Sequence, residues 1–294
     1  YIWPVLKKGG LFFAPLVVLT WALLDGYTPT MVAVFGSFSI IAVAALKRAT
    51  RVGLITIYKA LAETSMRMVP VAGACAAAGL VIAGITMTGL AAKFAHLIYG
   101  ITDAQVFWTL IIAAMVTVVL GLGMPTPSAY ILAAVLIGPL MEELKIHVLP
   151  GHLFLLYFAV MSAITPPVAV AAYAASSIAE DNPLAIAAHA VKLALAAFIV
   201  PFAFVYGPEL LWMGPIWLTA VSFSTAALGI FLIAASVESH ETLCPQVWSR
   251  FVQAGAGLML VTPNIKWSIA GLGVALVVIQ FNRMTGKKIP VQES

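Results

Sequence analysis

Gly121-Leu122-Gly123-Met124-Pro125-Thr126-Pro127-Ser128 interrupts a run that carries no charged side chain from Ala104 to Met141. A continuous helix does not pass through it. Pro125 and Pro127 lack the N–H that would close helical bonds and their rings clash with preceding carbonyls, while Gly121 and Gly123 supply permissive φ values. The next apolar run, His152 to Ala179, is broken in the same manner at Ala163-Ile164-Thr165-Pro166-Pro167-Val168. Irregular backbone in hydrocarbon survives only where it is buried in protein or lines a cavity, because each unpaired N–H or C=O costs several kcal/mol. The two breaks are therefore expected to line one binding centre. Free N–H groups at the half-helix N-termini suit an anion, and free carbonyls with the Thr126, Ser128, Ser162 and Thr165 hydroxyls suit a cation.

Length separates the two segments. Gln105 to Leu120 and Ser128 to Met141 make arms of roughly 24 and 21 Å, each short of a hydrocarbon core roughly 30 Å thick. This predicts a re-entrant hairpin over 104–145 with its tip at 121–128, with two short complete spans as the alternative. The second segment, roughly 42 Å if wholly helical, suits one broken and tilted span over 152–180.

Working outward, 63% of the 294 residues are hydrophobic and 9% are charged, against roughly 25% charge in soluble domains. The composition predicts an all-α polytopic membrane protein, and strand-like alternation with regular turns is absent. The net charge of +4 comes from basic residues at segment ends, so it reads as topology; nucleic acid is not an expected partner. Cys75 lies in an apolar run and Cys244 in a loop, which gives neither a disulfide framework nor a metal site. The chain begins at Tyr1, with no signal-peptide pattern, and is expected to be an excerpt of a longer polypeptide.

Residues 1–50 read as a scaffold pair, Leu11 to Leu24 and Met31 to Leu46, with Lys7, Lys8, Lys47, Arg48 and Arg51 holding both ends in the cytoplasm. Residues 51–68 read as an amphipathic arm on the interface, where Lys59, Glu63 and Arg67 permit two i,i+4 ion pairs. In 69–103, Val69 to Ala92 is a span with a smooth side of small residues, among them Gly73, Gly79 and Gly84, followed by a polar outer connection through Lys93, His96 and Asp103. After 104–180 the stretch 181–207 reads as one span, with Asn182 as N-cap and Pro183 in the first turn. Residues 208–294 add apolar segments near 215–236, 247–262 and 267–282, read as a peripheral appendage with Lys287 and Lys288 on the cytoplasmic side.

The combination Gly121-Leu-Gly-Met-Pro-Thr126, Ala163-Ile-Thr-Pro-Pro-Val-Ala169 and Ala174-Ala-Ser-Ser-Ile-Ala179 resembles the large membrane subunit of tripartite ATP-independent periplasmic (TRAP) transporters over roughly residues 8–206. The segments beyond 208 resemble those of fused permeases that partner TAXI-type binding proteins. The resemblance implies the second-repeat half of an elevator-type transporter, with one re-entrant hairpin and one discontinuous helix. It also implies a first repeat of the same permease, a small membrane subunit separate or fused, an extracytoplasmic substrate-binding protein, and a bacterial or archaeal inner membrane.

Carried over by position, the resemblance implies a sodium site at Gly121, Gly123, Ser162, Thr165 and Val168. The family has glycine where this chain has Ser162, which adds a hydroxyl, and a proton is the alternative coupling ion. No cofactor is expected. Pro125, Thr126, Ser128, Pro166 and Pro167 are expected to line the substrate, a small organic acid.

His189 and Lys192 lie near the cytoplasmic end of their span, where snorkelling accounts for them, and His189 is the first proton candidate if coupling is protonic. Tyr173 is read either as lining the broken span or as an interfacial anchor, and Glu142 and Glu143 as solvated. An enzyme is not expected: neither G-x-S-x-G nor H-E-x-x-H occurs, and His240-Glu-Thr-Leu-Cys244 lacks the second histidine. An ion channel using the same carbonyls is the alternative.

Overall fold

The computed structural model describes residues 10–46, 52–238 and 247–285. Lys7, Lys8, Lys47, Arg48, Arg51, Lys287, Lys288 and the segment His240 to Cys244 lie outside the described residues. Every described element is a helix, and the chain divides into two compact units, Tyr1–Val71 and Ala72–Ser294.

In the first unit α1 (Ala14–Leu24) and α2 (Pro29–Leu46) form a hairpin. Its turn is held by Trp21, Tyr27 and Phe35, whose ring centroids lie 6.1 and 5.3 Å apart in sequence. Gly36 lets the helices close, since a Cβ there would sit 2.6 Å from Leu19 Cδ2. α3 (Leu54–Thr88) begins in this unit and ends in the second, one uninterrupted helix where the sequence predicted an arm and a separate span. Pro70 lies inside it without ending it. Of the two expected ion pairs on the arm, Glu63–Arg67 is formed at 2.6 Å.

The second unit is built around the apolar run that the sequence singled out. α4 (Leu90–Ile101) follows α3 after Gly89, whose φ of 63° turns the chain. The expected polar outer connection is thus helical: Lys93 and His96 stand on its exposed face, and Ala95 and Ile98 bury the other. α5 (Val106–Gly121) and α6 (Thr126–Glu143) pack against each other across a short turn, and both pack against α7 (Val148–Met161). Their core is small and aliphatic, Leu110, Ala113, Leu132, Ala133, Ile137 and Leu140, closed by Phe154 and Phe158 of α7. Two buried hydroxyl groups of this core are paired locally: Thr102 to Thr109 at 2.9 Å, and Thr117 to the Ala113 carbonyl at 2.7 Å.

A single turn of 3₁₀ helix, Ser162–Ile164, ends α7, and after a gap at 165–169 the chain resumes as α8 (Val170–Ala179). α9 (Pro183–Ala194) is capped by the Asn182 side chain, which accepts from the Leu184 N–H at 2.9 Å. The expected single span over 184–206 is bent by 58° instead, α9 giving way to Ala197–Tyr206, which contains α10 (Val200–Tyr206). Pro201 lies just after the bend, where its missing N–H and its ring both fall on the turn at 197.

α11 (Ile216–Val237), α12 (Val247–Val261) and α13 (Ile265–Thr285) form a layer in which glycine permits backbone contact. A Cβ on Gly257 would meet the Gly229 carbonyl oxygen at 2.7 Å, and one on Gly271 the Ala256 carbonyl oxygen at 2.8 Å. This layer is no loose appendage. Gly207 abuts Pro263, Ile233 and Val261 share a core with Ala196 and Ala203, and Glu238 pairs with Lys192 at 3.3 Å.

Four helices, Pro29–Leu46, Leu54–Thr88, Ile216–Val237 and Ile265–Asn282, are long and apolar enough to cross a membrane, and the bent pair makes a fifth. Their outward faces are greasy: Leu80, Met87, Phe223, Ile269 and Val277 are all largely exposed. Side chains of that kind on every outer face call for hydrocarbon around them. The chain is a multi-pass membrane protein.

Candidate functional site

The tip of the α5–α6 hairpin is made by backbone, as the composition of 121–128 requires. Gly123 takes φ 75°, the left-handed region, and Pro125 stands in extended conformation ahead of α6. Pro125 and Pro127 remove the N–H groups that would have met the carbonyls of Gly121 and Gly123. The Gly121 carbonyl accepts from Met124 at 3.2 Å instead. The α6 N-terminus then presents Thr126, whose hydroxyl has no partner among the described residues and which is half-buried.

The break after α7 is built by the same means. Pro166 and Pro167 withhold two N–H groups from the carbonyls of Ser162 and Ala163, and the former accepts from Thr165 N–H at 3.2 Å. Ala169 restarts the chain as the residue before α8, fully buried at φ 35°. A left-handed alanine costs about 1 kcal/mol or more, and it persists here because its carbonyl accepts from Ala172 and Tyr173 at 2.8 and 3.1 Å. Sequence reasoning missed Ala169: nothing distinguishes it from its neighbouring alanines.

The two breaks meet. A Cβ added to Gly121 would land on the Ser162 hydroxyl and lie 2.8 Å from Ser162 Cβ, and one added to Gly123 would lie 3.5 Å from Val168 Cγ1. Four residues that the resemblance joined, Gly121, Gly123, Ser162 and Val168, are therefore neighbours, and Thr165 lies between the last two in sequence. Ser162 is 3% exposed and its Oγ donates to the Ala159 carbonyl at 2.7 Å, while Thr165 Oγ1 donates to Met161 at 2.9 Å. With each proton committed to a carbonyl, the oxygen lone pairs are left to accept, which is the state a cation ligand needs. Pro166, Pro167 and Val168 are exposed, and Pro125 is half-buried.

Ser128 is placed differently. It is 1% exposed one turn into α6, and its Oγ lies 3.2 Å from Cys75 Sγ on α3. Tyr173 is exposed on α8. His189 is exposed and its Nδ1 lies 2.9 Å from the Ala185 carbonyl, so that nitrogen is the donor. Glu143 faces His96 at 3.5 Å, far along α6 from the tip. Among the described residues no group of histidine, cysteine or carboxylate side chains could hold a metal ion.

With this geometry in view, the sequence profile of the tripartite ATP-independent periplasmic transporter, DctM component, matches residues 2–218. The chain belongs to this family. No curated protein and no solved structure matches it. As a DctM component, the chain is a permease subunit of a TRAP transporter, a family that works with a substrate-binding protein and a small membrane subunit. Both breaks fall within the matched region, whereas nearly all of α11 and the whole of α12 and α13 lie beyond it.

Proposed function

We propose that this DctM chain carries the ion and substrate step of a binding-protein-dependent symporter that imports small organic acids across a bacterial or archaeal inner membrane. Sodium binds at the junction of Gly121, Gly123, Ser162, Thr165 and Val168. The observation that carries the reading is the contact of the hairpin tip with the broken helix, Gly121 against Ser162. Two half-helix junctions thereby share one locus at mid-depth of the apolar run, where unwound carbonyls and hydroxyls replace a hydration shell. The locus contains neutral oxygens, and no acidic, basic or histidine side chain occurs between Ala104 and Met141 or between Leu153 and Ala179, which favours sodium over a proton.

The substrate carboxylate meets the N-terminal ends of α6 and α8, where Thr126, Pro125, Pro166 and Pro167 line the approach and no cationic side chain competes. The hairpin and the broken helix move as one elevator unit, since α5, α6 and α7 share a core. The full-length polypeptide in liposomes tests this: uptake of an organic acid is measured under a sodium or a proton gradient, with and without the binding protein. Uptake that needs the binding protein and the sodium gradient supports the proposal. Large ion currents without the binding protein would replace it with a channel, and uptake under a proton gradient alone would remove the sodium site.

A further inference from the structure

A groove of about 740 Å³ lies on the second unit, away from the two breaks. Phe107 and Ile111 of α5 form one wall, Leu195, Phe198 and Ile199 at the bend form the floor, and Leu258 of α12 closes the other side. The 58° bend makes it: α9 leads away at the point where α10 turns in against Phe154 and Phe158. Polar lining is confined to one end, where Tyr206 and Thr262 stand beside the contact of Gly207 with Pro263. Exposed tryptophans stand close in sequence to the lining residues: Trp108 adjoins Phe107, Trp212 follows Gly207 by five residues, and Trp267 follows Pro263 by four. Aromatic side chains in this arrangement mark a membrane–water interface. Lys266, exposed in the first turn of α13, adds a cation at the same level.

We infer that this groove holds one acyl chain of an anionic phospholipid, its headgroup at the Tyr206–Lys266 end. Water does not suit it, because a stable water needs two to four polar partners and the walls offer none below Tyr206 and Thr262. A helix of another subunit would bring one face to the groove and leave its amphipathic end unused, and a crosslink from Leu258 to another protein chain would reveal it. A hydrocarbon tail is far slimmer and fills the same volume along its length, and the amphipathic rim meets the ester and phosphate region. The inference requires only that the chain spans a membrane, not the transport reaction proposed above.

The test places full-length protein in liposomes containing phosphatidylglycerol with a photoactivatable group on one acyl chain, and maps adducts by peptide mass spectrometry. Adducts should concentrate on the 195–206 and 258–263 peptides. They should fall about tenfold in Leu195→Trp and Leu258→Trp, whose side chains are already exposed and have room to grow, and remain in Leu228→Trp on the outer face of α11. Excess unlabelled phosphatidylglycerol should displace them, and Lys266→Gln should weaken its advantage over phosphatidylcholine. Adducts spread evenly over every lipid-facing helix, or unchanged in both groove variants, would overturn the site. So would a crosslink from Leu258 to another protein chain.

Discussion

At Gly121 a single methyl group decides whether the hairpin tip and the broken helix can touch. The Ser162 side chain occupies the space that a Cβ would need, and the obstruction is its Cβ and hydroxyl, held by the bond to Ala159, so neither can swing away. Gly121→Ala is expected to cost about 1–3 kcal/mol of overpacking and to abolish uptake while the protein still inserts. Combining it with Ser162→Gly removes the obstruction and should restore uptake in part; no rescue by the second change would mean that the two residues do not act through contact. Thr165→Val, isosteric and without a hydroxyl, is expected to raise the half-saturating sodium concentration about tenfold with the binding-protein requirement unchanged. Equal sodium dependence in that variant would take Thr165 out of the ion shell.

Among the helices, proline alone did not reveal which segments break. Pro70, Pro139 and Pro201 all lie inside apolar runs, yet α3 and α6 pass through the first two and only the third accompanies a sharp bend. Membrane helices tolerate proline when neighbours satisfy the freed carbonyl, so the outcome depends on packing that a sequence does not display. At 121–128 and 163–168 the doubled prolines with glycine or hydroxyl neighbours left no such choice, and both breaks were legible. At 201 the deciding partners are Phe154 and Phe158, distant in sequence, on which Phe198 and Phe202 seat. The small-residue side of α3 was legible as a packing face, but a Cβ at Gly73, Gly79 or Gly84 would meet nothing within 4 Å among the described residues. Pro201→Ala should relax the bend. Spin labels at Leu184 and Tyr206 would then move apart by roughly 4 Å, the difference between a 58° bend and a straight helix of that length. An unchanged distance would assign the bend to aromatic packing alone.

For the whole molecule, the orientation of the hairpin in the bilayer is the property on which the site depends. α5 and α6 are roughly 24 and 27 Å long, each short of a hydrocarbon core, whereas α7, the break and α8 together supply enough chain to cross it. If the hairpin is re-entrant, Asp103 and Lys145 lie on one face, Asp181 lies on the other, and Asn264 joins the first pair because the α9–α10 pair, α11 and α12 each cross once more. Cysteines introduced singly at these four positions, in a background lacking Cys75 and Cys244, should react with an impermeant maleimide from outside at 103, 145 and 264 and from inside at 181. A cysteine at Leu122 discriminates further. In a re-entrant hairpin it lies within the protein, so its labelling should depend on sodium and substrate if they bind beside it as proposed. In two complete spans it would lie in the aqueous phase and label freely from inside under every condition. The latter result would separate the tip from mid-membrane depth, and with it the physical reason for expecting a dehydrated ion at Gly121 and Ser162.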